Sequence, residues 1–116
     1  MRKLFLVMMI VLAAFPAQAE FFFLTGYELA SYMNEYEKTI NEDPAGRTEE
    51  ANAFVGYITG VFETLSGLKL ICTDGTSTRH ITSVVTKYLK DNPTRWNEPA
   101  IYSTAEALKT AFPCKK

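Results

Sequence analysis

Apolar residues recur every three or four positions along most of this chain, which is the period of a helix with one buried face. Four such stretches are separated by short segments rich in Gly, Pro, Asn and Asp. Alternating apolar and polar residues, which would indicate strands, form no run of useful length. The sequence therefore predicts an all-α fold, a small bundle of four helices or slightly more, in a single domain.

The first predicted helix follows Thr25, which can form a capping box with Glu28 three residues later. The segment NEDPAGR at 41–47 ends it. The second helix is predicted to start near Thr48. The apolar positions of these two helices are Leu29, Met33, Tyr36 and Ile40 in the first, and Phe54, Ile58, Val61, Leu65, Leu68 and Cys72 in the second.

Three glycines, Gly56, Gly60 and Gly67, lie beside the apolar positions of the second helix. A glycine costs about 1 kcal/mol in a helix interior, so their presence needs a reason. We expect another backbone to approach this face closely, either within the chain or from a second copy.

Thr78 is the predicted cap of the third helix, which ends at Asn92-Pro93 because a residue before proline disfavours the α conformation. The following loop leads to a fourth helix, with Asn97 as the expected cap ahead of Pro99. The apolar positions are Ile81, Val84, Val85, Tyr88 and Leu89 in the third helix, and Ile101, Ala105, Leu108 and Phe112 in the fourth.

The first 19 residues have the pattern of a secretory signal peptide. Two basic residues precede 12 apolar ones, Leu4 to Phe15, whereas a membrane-spanning helix needs about 20. Pro16 and the small-residue motif Ala17-Gln18-Ala19 follow, with no cysteine for a lipid anchor. We expect residues 1–19 to be removed on export and residues 20–116 to form the mature domain.

Cys72 and Cys114 are the two cysteines of the chain. In an exported small domain an even pair predicts a disulfide. Such a bridge would tie the end of the last helix to the middle of the chain, and the chain-entropy model assigns it roughly 3–4.5 kcal/mol. The alternative, a catalytic thiol, would require a histidine partner, and His80 is the single histidine.

Removal of Arg2 and Lys3 leaves ten basic residues against 13 acidic ones, a net charge near −3. Eight of the acids fall within residues 20–50. This acid-rich segment is either a solvated helix face or a surface complementary to a basic partner. Nothing resembles the basic stripe of a nucleic-acid-binding protein, and we expect no membrane contact after cleavage.

Motifs of enzymes, P-loops and metal sites are absent from the sequence, so we expect no catalytic activity, no cofactor and no metal. The acid pairs Glu35/Glu37 and Glu49/Glu50 point in different directions on a helix, so neither pair forms an acid–base site alone. His80 is expected to be exposed or to act at the start of the third helix.

Trp96 lies in a loop beside Arg95, a composition typical of a binding hot spot. The predicted partner-binding residues are Asp74, in the loop 73–77, together with Arg95 and Trp96 in the loop 91–98. Trp96→Ala should then weaken binding with little change in thermal stability. The alternative is that Trp96 folds back to cover the helix ends.

Four segments occur in an order and spacing that resembles the Rap/Tai family, immunity proteins against type VI secretion amidases. They are FLTGYEL (23–29), GYITGVFETLSG (56–67), VVTKYLKDNP (84–93) and AEALKTAFPC (105–114), with a cysteine ahead of the third helix. The resemblance implies a helical bundle, often a homodimer, that plugs the cleft of a peptidoglycan amidase effector in the periplasm and uses no cofactor. Many relatives carry a second cysteine pair where Met33 and Phe54 stand here, so a sulfur–aromatic contact is expected in its place.

Another interpretation is an acid-protective periplasmic chaperone of the HdeA-like kind, which is also small, helical and disulfide-bridged. Such a protein would expose apolar surface when its acids are protonated at low pH. Recruitment of a family member to an unrelated structural or interaction role is a third possibility.

Overall fold

A computed structural model describes residues 23–115. It contains four helices, α1 Gly26–Ile40, α2 Thr48–Gly67, α3 Thr78–Asp91 and α4 Ala100–Ala111, with a 3-10 turn at Pro93–Arg95 between α3 and α4. The predicted all-α bundle is thereby confirmed. The predicted signal peptide, residues 1–19, lies outside the described part of the chain.

Helix α4 packs against the other three helices, and so does the longer helix α2. The α2 residues Phe54, Ile58 and Val61 are buried, as the apolar period predicts. Met33 and Phe54 both belong to this core, and the sulfur–aromatic contact expected between them stays a prediction. The other helices contribute Leu29 from α1, Ile81, Val85 and Leu89 from α3, and Ala107 and Leu108 from α4, with Phe112 just beyond.

The start of α1 is held by the predicted capping box. The hydroxyl of Thr25 accepts a hydrogen bond from the backbone N–H of Glu28 at 3.2 Å, and the Glu28 carboxylate accepts one from Thr25 N at 2.8 Å. Two of the backbone donors that a helix start leaves without partners are satisfied in this way.

The apolar period of α2 predicts a helix that continues to Cys72. In the structure, however, α2 ends at Gly67. Lys69 takes the left-handed conformation with φ 58°, and Leu70 N donates to Leu65 O at 2.9 Å. The reversal changes which side chains face the core, so Ile71 is buried while Leu68 is 65% exposed.

The starts of two helices, α3 and α4, also differ from the sequence prediction. Ser77, not Thr78, caps α3, since its hydroxyl accepts a hydrogen bond from His80 N at 3.1 Å. At α4 the capping position is Pro99 rather than Asn97, and no side chain caps the helix. Instead, the N–H of Ala100 donates to Leu24 O at 3.0 Å, so a neighbouring segment satisfies this donor.

The predicted disulfide between Cys72 and Cys114 is present, with Cα atoms 4.8 Å apart. Beside it, Cys72 N donates to Phe112 O at 2.9 Å, and Ile71 and Phe112 are buried. The segment after α2 is thus joined to the end of α4 by a covalent bond, a backbone hydrogen bond and apolar packing.

The loop before α4 lies directly on the start of α1. Gly26 N donates to Glu98 O at 2.8 Å, and Tyr27 N donates to Trp96 O at 2.9 Å. A Cβ atom added to Gly26 would lie 2.6 Å from both the Cα and the O of Trp96. The absence of a side chain at Gly26 is therefore what allows the two backbones to meet.

The glycines of α2 behave differently. A Cβ atom added to Gly56, Gly60 or Gly67 meets nothing within 4 Å. The expectation of a close backbone approach within the chain is therefore wrong for this face. Along the described residues the glycine side of α2 is open.

This contrast predicts opposite effects of the same substitution. Gly26→Ala should lower the free energy of unfolding by about 1–3 kcal/mol, because the methyl group overlaps the Trp96 backbone. Gly56→Ala should raise it by about 0.5–1 kcal/mol, because alanine favours the helix and meets no neighbour. Urea unfolding at low protein concentration measures both. A destabilised Gly56→Ala monomer would mean that this face is covered.

Glu35 is a buried carboxylate where α1 meets the start of α2. It accepts hydrogen bonds from Arg47 N at 2.8 Å and from Lys38 Nζ at 3.1 Å. The bond from the Arg47 backbone and then that from Lys38 hold the pKa of Glu35 below its ordinary value of 4.5, against the opposite effect of burial. The charged carboxylate therefore fastens α1 to α2.

The pH dependence follows from the direction of this shift. Because the folded pKa of Glu35 lies below 4.5, its contribution to stability is complete above that pH and is lost as the pH falls through the folded pKa. Glu35→Gln should lower the melting temperature at neutral pH and make it less dependent on pH below about 4.5. Melts from neutral to acidic pH test this, with Glu63→Gln, an exposed acid in α2, as the control. Equal pH profiles for the wild type and Glu35→Gln would contradict the assignment.

Candidate partner-binding surface

Asp74 lies in the exposed loop 73–77, directly after the disulfide. The loop is ordered by a local contact, in which the Thr73 hydroxyl accepts a hydrogen bond from Gly75 N at 3.1 Å. Gly75 has φ +148°, a conformation that favours glycine. The Asp74 carboxylate is accessible to a partner at this end of the bundle.

The guanidinium of Arg95 is engaged within the chain. It donates to Glu98 through Nε at 3.0 Å and to Glu106 through Nη1 at 2.6 Å, and it also donates to the Tyr88 hydroxyl. The bonds to Glu106 and then Glu98 raise the pKa of Arg95, so it stays charged. Its side chain therefore ties the loop to α3 and α4.

Trp96 is half-buried and packs against the core. Its indole N–H donates to Leu89 O at 2.9 Å, and its ring meets Tyr27 edge to face with centroids 6.3 Å apart. The alternative interpretation, that Trp96 covers the helix ends, is confirmed. A direct contact between Trp96 and a partner stays a prediction.

The structure brings Arg95 and Trp96 together but not Asp74. The loop with Asp74 precedes α3, whereas Arg95 and Trp96 follow it. Helix α3 has 14 residues, which at about 1.5 Å per residue separates its ends by about 20 Å. The three predicted residues therefore belong to two separate surfaces.

Sequence reasoning missed one exposed feature near Asp74. Leu68 and Leu70 are 65% and 51% exposed, on either side of Lys69. The signal was present, because Leu68, Leu70 and Ile71 supply more apolar side chains than one helix face can bury. The sequence did not indicate which of them would stay outside.

A second exposed feature is an apolar groove beside the glycines of α2. It is lined by Gly56, Tyr57, Gly60, Val61, Thr64, Leu65 and Ile101, and it has a volume of about 390 Å³. A Cβ atom added to Gly56 or Gly60 would have no described neighbour within 4 Å. The groove is therefore open to another molecule.

Residues 23–115 contain no group of three or more His, Cys, Asp or Glu side chains placed to hold a metal ion. His80 is exposed, as expected, and its ring lies edge to face against Phe112 at 5.7 Å. None of the four described helices is long and apolar enough to cross a membrane.

The described residues thus form a small helical bundle, joined end to middle by a disulfide, with exposed loops and an apolar groove. The chain belongs to the family of Rap1a immunity proteins, whose model matches residues 25–114. The matched range begins at the capping-box threonine and ends at the second cysteine of the disulfide. Family membership confirms the resemblance found in the sequence. A comparison with curated proteins gave no match.

Proposed function

We propose that this protein is a periplasmic immunity protein that binds a peptidoglycan amidase effector of a type VI secretion system and occludes its cleft. The observation that carries the proposal is family membership over residues 25–114. Occlusion requires complementary shape and satisfied polar groups but no catalysis, so the protein acts here without enzymatic activity, cofactor or metal.

The architecture supports inhibition by a preformed surface. Binding is weakened by the entropy lost when flexible loops become ordered. The disulfide and the Cys72–Phe112 backbone bond restrict the segment that precedes the loop 73–77. We place the effector contact at this end, with Asp74 within it.

Arg95 and Trp96 would contact the effector only if the complex extends to the other end of α3. Arg95 is already paired with two carboxylates, and Trp96 is half-buried. We therefore propose that Arg95 and Trp96 contact the effector at the edge of the interface and that they also stabilise their own loop.

The proposed location rests on the leader and the cysteines. Residues 1–19 have the signal-peptide pattern, and a disulfide forms in an oxidising compartment such as the periplasm. Mass spectrometry of the protein from a periplasmic extract should find an N-terminus at Glu20. Retention of Met1 would contradict export by cleavage.

We expect a small secreted amidase to be encoded beside this chain's gene, and that enzyme tests the function. Digestion of purified peptidoglycan by that amidase should stop when this protein is added at an equimolar ratio. A muramidase, which cleaves the sugar backbone, serves as the control and should keep its activity. Full amidase activity at a clear excess of this protein would contradict the proposal.

The acid-chaperone interpretation makes a different prediction for the same preparation. Such a protein would suppress aggregation of unrelated clients at about pH 2–3 and would need no specific partner. The buried Glu35 carboxylate is the group whose protonation would loosen the bundle there. Client protection without amidase inhibition would favour this function instead.

We also propose that two copies associate through the apolar groove on α2. The groove is open along residues 23–115, and its glycines lower helix stability without any contact among those residues that explains them. A second copy would pack closely against this face of α2, because the glycines carry no side chains there. The double variant Gly56→Ala/Gly60→Ala should then be a more stable monomer but a weaker dimer, as measured by light scattering across a concentration series. Unchanged association would contradict this interface.

A further inference from the structure

We propose that the turn Leu68–Leu70 is a main effector contact, an apolar projection with a central positive charge that enters a cleft with apolar walls and an acidic rim. This inference rests on the proposed function and names the part of the protein that does the blocking. It is carried by the backbone, the exposure and the charge of the turn.

The backbone of the turn is one that glycine usually occupies. Lys69 N donates to Ser66 O at 3.0 Å, and Leu70 N donates to Leu65 O at 2.9 Å, the paired bonds of a Schellman motif. The left-handed position of this motif favours glycine, yet Lys69 occupies it here, with φ 58°. Glu42 has the same φ in the loop before α2, so the backbone of Lys69 is consistent with a role outside the fold but does not establish one without the exposure and charge of the turn.

Leu68 and Leu70 are held out of the core by the same backbone. They are 65% and 51% exposed, whereas the next residue, Ile71, is 2% exposed. Ile71 therefore takes the buried position after α2 and leaves both leucines accessible. Large exposed apolar side chains beside a buried anchor are typical of a protein-binding site.

The turn is also rigid enough to bind without much ordering. Ile71 anchors it in the core, and Cys72 follows with its disulfide and its backbone bond to Phe112. Cys114 Sγ lies 3.6 Å from the carbonyl oxygen of Lys69. Because these contacts fix the turn before binding, little entropy is lost on docking.

Charge indicates the kind of cleft that fits. Lys69 stands between the two leucines, and Lys115 follows the disulfide. Against them, residues 68–80 carry one acid, Asp74. A cleft with carboxylates around an apolar floor would complement this pattern.

The test uses the amidase that we expect the neighbouring gene to encode and measures its binding by titration calorimetry. Leu68→Ser/Leu70→Ser and, separately, Lys69→Glu should each raise the Kd about tenfold or more. Ile40→Ser is the matched control, since Ile40 is also an exposed apolar residue, at the end of α1, and it should change the Kd less than about twofold. Circular dichroism establishes that each variant is folded.

Lys69→Gly separates binding from stability. Glycine relieves the left-handed backbone, so this variant should melt at a higher temperature than the wild type and still bind the amidase more weakly. A purely structural role of Lys69 would raise the melting temperature and leave the Kd unchanged, and that result would overturn the inference.

The remaining outcomes distinguish the two proposals. The assignment of the turn would be overturned if Leu68→Ser/Leu70→Ser and Lys69→Glu bind as tightly as the wild type. It would also be overturned if Ile40→Ser weakens binding equally. Either result would leave the immunity function intact. A wild-type chain that neither binds nor inhibits this amidase would overturn both.

Discussion

Breaking the disulfide between Cys72 and Cys114 is expected to lower the free energy of unfolding by about 3–4 kcal/mol. The two cysteines are 42 residues apart in sequence, so the bridge removes many conformations from the unfolded chain. For a domain of this size the loss corresponds to a fall in melting temperature of about 15–25 °C. The double variant Cys72→Ser/Cys114→Ser and the reduced wild type should agree.

The folded structure should survive this change under mild conditions. Ile71 and Phe112 are buried near the bridge, and the Cys72–Phe112 backbone bond remains possible after reduction. Circular dichroism at low temperature should therefore be close to that of the oxidised protein. A loss below about 1 kcal/mol would mean that the reduced chain is already restricted when unfolded.

The same variant bears on function. Reduction frees the segment that carries Leu68 to Leu70, so binding to the amidase should weaken even where the helices remain intact. Inhibition measured below the melting temperature of the reduced protein separates this effect from unfolding. Equal inhibition by both redox forms would show that the disulfide stabilises the fold without ordering the contact surface.

Trp96→Ala is expected to lower the free energy of unfolding by about 2–4 kcal/mol, somewhat less than for a fully buried tryptophan. The substitution removes the indole that packs on the core and meets Tyr27. It also removes the hydrogen bond to Leu89 O near the end of α3. From the sequence we expected little change in stability; because these contacts lie within the chain, the structure leads us to expect a larger loss.

Trp96→Phe is the matched variant. It keeps an aromatic ring against the core but removes the indole N–H and its hydrogen bond. The free energy of unfolding should therefore fall by about 1 kcal/mol more than the loss of buried area alone explains. Since Trp96 is the single tryptophan, urea unfolding of the wild type can be followed by its fluorescence. Circular dichroism then follows both variants.

Binding by the folded fraction decides the role of Trp96. If its contacts within the chain are its main function, the Kd for the amidase should change little once the fraction folded is taken into account. A large rise in Kd for a folded Trp96→Phe protein would instead place Trp96 in the interface, as first predicted from its loop position beside Arg95.

Local patterns in the sequence were sufficient for the number and approximate positions of the helices and for the disulfide, but not for every helix boundary. The capping box of Thr25 and Glu28, the apolar period of α2 and the stop at Asn92-Pro93 each act within a few residues. Such signals depend on neighbours along the chain, which the sequence contains directly. The two cysteines were predicted to pair because an exported small domain leaves few alternatives.

Contacts between distant segments were decided only by the tertiary structure. Gly26 and Gly56 are the same residue type in helices, yet one lies against the Trp96 backbone and the other faces open space. Trp96 is half-buried because the loop before α4 lies on the start of α1, which no pattern within that loop encodes. The same holds at the end of α2, where the reversal at Lys69 buries Ile71 and exposes Leu68. Periodicity shows that a side chain is apolar and on which face it lies, but only the packing of the whole chain determines whether anything covers that face.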